Sequence, residues 1–211
     1  MLASLFNPES PFWLKIGAFA DILALSLLWV FTSLPIVTLG AATTALYDAS
    51  ARCVRRGLSG ALSRYFSTFR REFKASVILT LIYLVGFFVL LLPLRFFWLA
   101  MTLDLTGSSI AFASYAIFLI LPLGAFCWVF PILSRFTCSI KEAVKASFQF
   151  SLAYLPQTFL LVLSALASAL VSALYWVPVL VLPCLTALFW SLFIERVFAK
   201  YTPSQDESSV S

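Results

Sequence analysis

Residues 151–194 form a run of 44 positions without a single charged side chain, and this constrains the fold more than any other feature. As one helix, at a rise of about 1.5 Å per residue, the run would extend roughly 66 Å, about twice a hydrocarbon core of roughly 30 Å. It must therefore fold back on itself, most simply as a membrane hairpin with its link near Ser172 to Tyr175. Three further long apolar stretches precede it. The chain is 62% hydrophobic and 11% charged, against roughly 25% charged in a soluble domain. So few charges cannot cover a water-exposed surface, and the expectation is an all-α, polytopic membrane bundle forming a single domain over residues 1–201.

Five spans are predicted, at about 16–36, 75–94, 110–133, 151–171 and 176–194. Ser10 and Pro11 are suited to open the first as N-cap and first helical residue, and Pro35 to end it. Pro93 and Arg95 close the second. Pro122 and Pro131 fall within the third, where neighbouring helices can satisfy the freed carbonyls. Glu9 precedes the first cation, Lys15, so the start is not expected to be a cleavable signal. The polar stretch 202–211 is expected to be a disordered tail.

Lys and Arg set the orientation. Segment 41–74 carries Arg52, Arg55, Arg56, Arg64, Arg70, Arg71 and Lys74; segment 134–150 carries Arg135, Lys141 and Lys145; Arg196 and Lys200 follow the last span. With five spans, these three segments share one side, leaving only Lys15 and Arg95 on the other. The N-terminus is therefore expected outside and the C-terminus in the cytoplasm. Membrane topology thus accounts for the net charge of +5, and no nucleic-acid partner is needed.

Three cytoplasmic pieces have amphipathic spacing and are expected to lie at the inner interface. In residues 41–56, Ala45, Leu46, Ala49 and Cys53 share one face, with Asp48, Arg52, Arg55 and Arg56 toward the other; Gly57 and Gly60 punctuate the chain after it. Next, Leu62, Phe66, Phe69 and Phe73 recur at helical spacing. The third piece opens with Ser139 and Glu142, a capping-box spacing. The cations Arg52, Arg55, Arg56, Arg70, Arg71 and Lys74 could contact an anionic inner leaflet or dock a partner; topology and interfacial anchoring are the plainer reading. Leu34-Pro35-Ile36-Val37-Thr38 is faintly echoed by Phe130-Pro131-Ile132-Leu133-Ser134, suggesting two parallel repeats.

The residue inventory is poor in catalytic groups. There is no His, which removes the commonest general base and metal ligand. Cys53, Cys127, Cys138 and Cys184 have no metal-like spacing and read as small apolar residues. No catalytic, cofactor or metal site is expected. Asp21 is the only acid well inside an apolar run, which makes it a candidate proton or cation site; the plainer reading pairs it with Lys15 or Arg95, or with interfacial water. Glu195, beside Arg196, reads as interfacial. Gly40, Thr43 and Thr44 follow the Pro35 break, where small and hydroxylated residues serve close helix packing; a broken helix could also line a substrate site.

Leu27-Leu28-Trp29, Ser33-Leu34-Pro35-Ile36-Val37-Thr38 and Gly40-Ala41-Ala42-Thr43-Thr44-Ala45-Leu46-Tyr47 together resemble the YesL family of bacterial integral membrane proteins, a family of unknown function. The aromatic-basic run from Tyr65 to Lys74 continues the likeness. The family often has Asn before Leu-Leu-Trp; here Ser26 stands there, which would weaken any polar role of that position. The resemblance makes Trp29, Pro35, Gly40, Thr43, Thr44 and Tyr47 the motif residues. It implies a bacterial plasma membrane and a setting beside carbohydrate ABC transporters, whose permease subunits become candidate partners. The expected function is a non-catalytic accessory or scaffold component of carbohydrate uptake. The alternative is a small transporter or channel, for which a homo-oligomer is the expected form, with Asp21 as its intramembrane site.

Overall fold

The computed structural model describes residues 11–103, 107–175 and 177–201, with the side chains of residues 11–16 and the other segments outside this description. Among the described residues the chain is all helix: α1 Pro11–Ser33, α2 Leu39–Arg52, α3 Ala61–Thr102, α4 Ser108–Phe118, α5 Ile120–Arg135, α6 Ile140–Ala153, α7 Leu155–Leu174 and α8 Leu182–Phe198. Short 3-10 turns sit at Ile36–Thr38, Val54–Arg56 and Val177–Leu180. Three stretches are long and apolar enough to cross a membrane: Ala61–Thr102, Ser108–Arg135 and Leu155–Leu174. The expected N-cap Ser10, the side chain of Lys15, the expected span start Trp176 and the tail 202–211 lie outside the described residues.

Prolines mark the joints for local reasons. Pro35 ends α1 and leads into the first 3-10 turn. The expected third span is two helices, divided at Leu119. Pro122 lacks the N–H that would bond Phe118 four residues back, and its ring crowds that carbonyl, so the helix breaks there. Pro93 does not end a helix as expected; it lies inside α3. One turn before it, the Tyr115 hydroxyl of α4 donates to the Leu90 carbonyl at 2.8 Å, an instance of a neighbouring helix serving backbone beside a proline. In consequence α3 is one rod of 42 residues, about 63 Å long, combining the Phe-bearing piece with the second apolar stretch.

One of the three expected interfacial helices lies elsewhere. α2 is buried almost throughout, from Gly40 to Ala51 with only Thr43 partly exposed, and it packs on α1, α3, α5 and α8. Its run of Gly, Ala, Thr and Ser lets four helices approach one backbone. α6 packs along α5, burying Ala143, Ser147 and Ser151. The capping box is formed as the spacing predicted, with Ser139 N–H donating to Glu142 Oε2 at 2.8 Å and Glu142 N–H to Ser139 Oγ at 3.4 Å. The start of α3 does present Leu62, Phe66 and Phe73 outward, while Ala61, Tyr65 and Thr68 face inward. The suggested repeat is not carried into packing: α2 lies mainly against the helix that follows it, α6 against the helix that precedes it. α7 begins at Leu155, because Ser151–Ala153 continue α6, and α8 begins only after the Val177–Leu180 turn.

Buried hydroxyls join the helices. Tyr83 and Ser147 share a 2.7 Å hydrogen bond, and Trp128 Nε1 donates to Thr158 Oγ1 at 2.9 Å. Ser26, fully buried, accepts from the Cys184 N–H at 3.3 Å and donates to the Val181 carbonyl at 3.4 Å. It thereby caps the first turn of α8 from another helix, replacing a local N-cap that Val181 cannot supply. The Ser26 hydroxyl thus keeps a polar role at this position.

Candidate functional site

The polar centre of the molecule is built on α2. Asp48 is 1% exposed and carries two arginines on its carboxylate. Arg64 Nε donates to Oδ2 at 2.5 Å, Arg52 Nε lies 2.7 Å from Oδ1, and Thr68 Oγ1 donates to Oδ2 at 2.7 Å. One turn of α2 thus holds the start of α3 by charge and hydrogen bonds. An ionised carboxylate this deep is tolerable only with such partners.

A second cluster joins α2 to α5 and α8. Arg135, the last residue of α5, grips Glu195 of α8 with both arms of its guanidinium, Nε donating to Oε1 at 2.9 Å and Nη2 to Oε2. Tyr47 donates its hydroxyl to the same Oε1 at 3.4 Å. Burial pushes the Tyr47 phenol well up, partly offset by Arg135 and Arg55, so it stays a donor. Arg55 Nη1 donates to the Ser191 carbonyl at 2.9 Å, one turn before Glu195 on α8. Segments 41–74 and 134–150 and the end of α8, expected on one side, therefore meet in direct contact.

These contacts redistribute the sequence-derived candidates. Arg52 and Arg55 also serve as ties, Arg52 half-buried against Asp48 and Arg55 exposed but bonded to the Ser191 carbonyl. Arg56, Arg70, Arg71 and Lys74 are exposed, with Arg71 2.7 Å from its neighbour Glu72. Glu195 is paired, not merely interfacial. The motif residues converge as a packing joint. Trp29 Nε1 donates to Thr43 Oγ1 at 3.2 Å, and Thr44 shares a 3.3 Å hydrogen bond with Ser76. Gly40 lies where any Cβ would strike Thr80 Oγ1 and come within 2.5 Å of Phe130. Asp21 is half-buried on α1 and forms no ion pair with a described residue; Arg95 is exposed.

Sequence reasoning named Asp48, Arg64, Arg135 and Glu195 without pairing them, and passed over Thr68. The Asp48–Arg52 spacing of four was the available signal, since acid and base at that interval share a helix face. The other partners are 16 to 148 residues apart along the chain, which no local pattern records.

Beside this centre lies a cavity of about 330 Å³, bounded by Trp29, Thr43, Tyr47, Phe126, Ser168 and Trp190 among others. Most of its polar groups are engaged within the wall: Trp29 with Thr43, Thr186 with the Leu182 carbonyl, and Trp190 Nε1 with Ser164 Oγ at 2.9 Å. Among the described residues, no three His, Cys, Asp or Glu side chains assemble as a metal site. The four cysteines are free thiols.

The fold and its centre define a helical membrane bundle whose inner helix is held by buried ion pairs. Residues 22–94 match the family model described as a protein of unknown function, DUF624. That stretch includes the whole Asp48 cluster but neither Arg135 nor Glu195. No curated protein and no solved structure matches the chain.

Proposed function

We propose that this protein is a non-catalytic accessory or scaffold component of a carbohydrate-uptake system in a bacterial plasma membrane. In this reading the N-terminus is outside and the C-terminus cytoplasmic. The supporting observation is how its charges are used. Asp48 and Glu195 are both consumed in ties between helices, whereas Arg70, Arg71 and Lys74 stand exposed on α3 beside the outward Phe66 and Phe73. Buried charge goes to holding the bundle, and exposed charge, flanked by aromatic surface, is left for a partner, Arg71 being paired only with its neighbour Glu72. The YesL-like motif residues point to ABC permease subunits as that partner, and an anionic leaflet would add roughly 1 kcal/mol per nearby cation. Copurification in mild detergent from the native host, followed by mass spectrometry, tests this. Permease subunits should be recovered with the native chain and lost with an Arg70→Gln, Arg71→Gln, Lys74→Gln variant that still melts normally. Undiminished recovery with that variant would remove the docking face.

A second reading, a small transporter or channel, rests on the cavity beside the Pro35 break, which Leu39 and Thr43 help to line. Flux in reconstituted vesicles that Asp21→Asn abolishes would favour it; the absence of flux from the native chain would dismiss it.

A further inference from the structure

We propose that the cavity between α2 and α7 holds one hydrocarbon tail of a membrane lipid, a role independent of both functional readings. The cavity exists because α7 packs on α5, α6 and α8 rather than on α2. Ala165, Ser168, Ala169 and Ser172 of α7 are too small to close the gap to Leu46 and Tyr47 of α2. The result is a space of about 330 Å³, within the range of small-ligand sites, roughly 300–1,000 Å³. It is not sealed. Ala169 on its rim is exposed, and at Ser172 and Val179 it adjoins a surface groove of about 410 Å³ along Leu27, Val30 and Phe31. Both helices at that mouth are apolar, and α7 is long enough to cross a membrane, so what meets the groove is lipid.

The chemistry of the wall selects the occupant. No charged side chain lines it. Of its polar groups, Trp29 and Thr43 bond to each other, Tyr47 to Glu195, Thr186 to the Leu182 carbonyl and Trp190 to Ser164. Among the described residues, only the wall hydroxyls of Ser168 and Ser172, one turn apart on α7, remain without a hydrogen bond. Two free hydroxyls cannot satisfy a sugar, which carries a hydroxyl on most of its carbons, nor a cluster of waters, each needing about 2–4 polar partners. An empty space is no better, since its lining then lacks contact atoms on one side. A lipid tail fits both features. Its methylenes fill the apolar interior beside Phe126 and Trp190, and the ester at its head can accept from Ser172 where cavity and groove adjoin.

The test is photolabelling of the full chain in nanodiscs of phosphatidylcholine that carries a diazirine near the end of one acyl chain, with labelled residues located by mass spectrometry. Phe88 and Val89, exposed on α3, report contact with bulk lipid. Leu46 and Trp190 line the cavity and are 3% and 8% exposed, out of reach of lipid that stays outside. Labelling is expected at Leu46 or Trp190 as well as at Phe88 and Val89. Ser168→Phe, which fills the cavity, should reduce the inner labelling about tenfold, the ratio expected when room for a pair of methylene groups is lost, and leave the α3 labelling unchanged. Ala169→Leu, a smaller addition at the rim, replaces it where Ser168→Phe does not melt as the native chain does. If neither variant melts normally, the native pattern decides. Labels confined to exposed faces of the native chain would overturn the proposal, whether another copy or a soluble molecule fills the space. Inner labelling undiminished in a filled variant of native stability would overturn it as well, since the label would then have arrived by another route.

Discussion

Replacing Asp48 by Asn should loosen α2 from α3 and destabilise the whole bundle. The carboxylate is buried, whereas the side chains of Arg52 and Arg64 are 32% and 33% exposed. Removing one partner of a fully buried ion pair costs about 3–5 kcal/mol, because the other charge is stranded. Here the stranded arginines can turn a third of their surface toward water, so the cost falls to the lower end of that range or just below it, about 2–3 kcal/mol. For a chain of this size that corresponds to a fall in Tm of roughly 5–10 °C. Thermal unfolding of detergent-purified protein measures it. The double variant Asp48→Asn, Arg64→Gln separates the pair from its surroundings: once Asp48 is gone, losing Arg64 should cost little more. A Tm for Asp48→Asn within a degree of the native value, or strictly additive losses in the double variant, would refute the view that this ion pair holds α2 in place.

Three other outcomes follow from the geometry. Gly40→Ala should destabilise by about 1–3 kcal/mol, since the new methyl group must displace Thr80 or Phe130, whereas Gly86→Ala, with open space around it, should be neutral or slightly stabilising; paired melts decide. Ser26→Ala should cost about 1 kcal/mol by uncapping α8, and Ser26→Asn, another capping side chain, should recover part of it in the same assay. The Ser139 N–H, and next the Ser139 side chain, hold the Glu142 carboxyl below its ordinary 4.5. A depressed carboxyl contributes stability that is present above that ordinary value and is lost as pH falls through the lower folded value. The Tm difference between the native chain and Glu142→Gln should therefore be steady near pH 6 and close below about pH 4.5; a difference unchanged at pH 3 would contradict the capping role.

Features with local causes were legible in the sequence. Long runs without charge require apolar helices, because nothing else satisfies backbone groups in lipid. The break after Pro35, the capping box at Ser139 and Glu142, and the tight approach at Gly40 each follow from one residue or one short spacing. Even Pro122, expected inside a single span, marked by its missing N–H the carbonyl at which that span divides. The place of α2 was a different matter. Its Ala and Thr face beside an Asp and Arg face reads equally well as a helix on the membrane surface or as one sunk among others. The tertiary structure chose burial because Arg64 and Thr68 of α3 meet Asp48, and because Glu195 of α8 takes up Arg135 and Tyr47. A charge chooses between water and a partner by what lies within a few ångströms, and those neighbours come from distant parts of the chain. The sequence by itself therefore determined that the chain is an apolar helical bundle with its cations gathered in three segments; only the packing decided which cations tie helices together and which remain free.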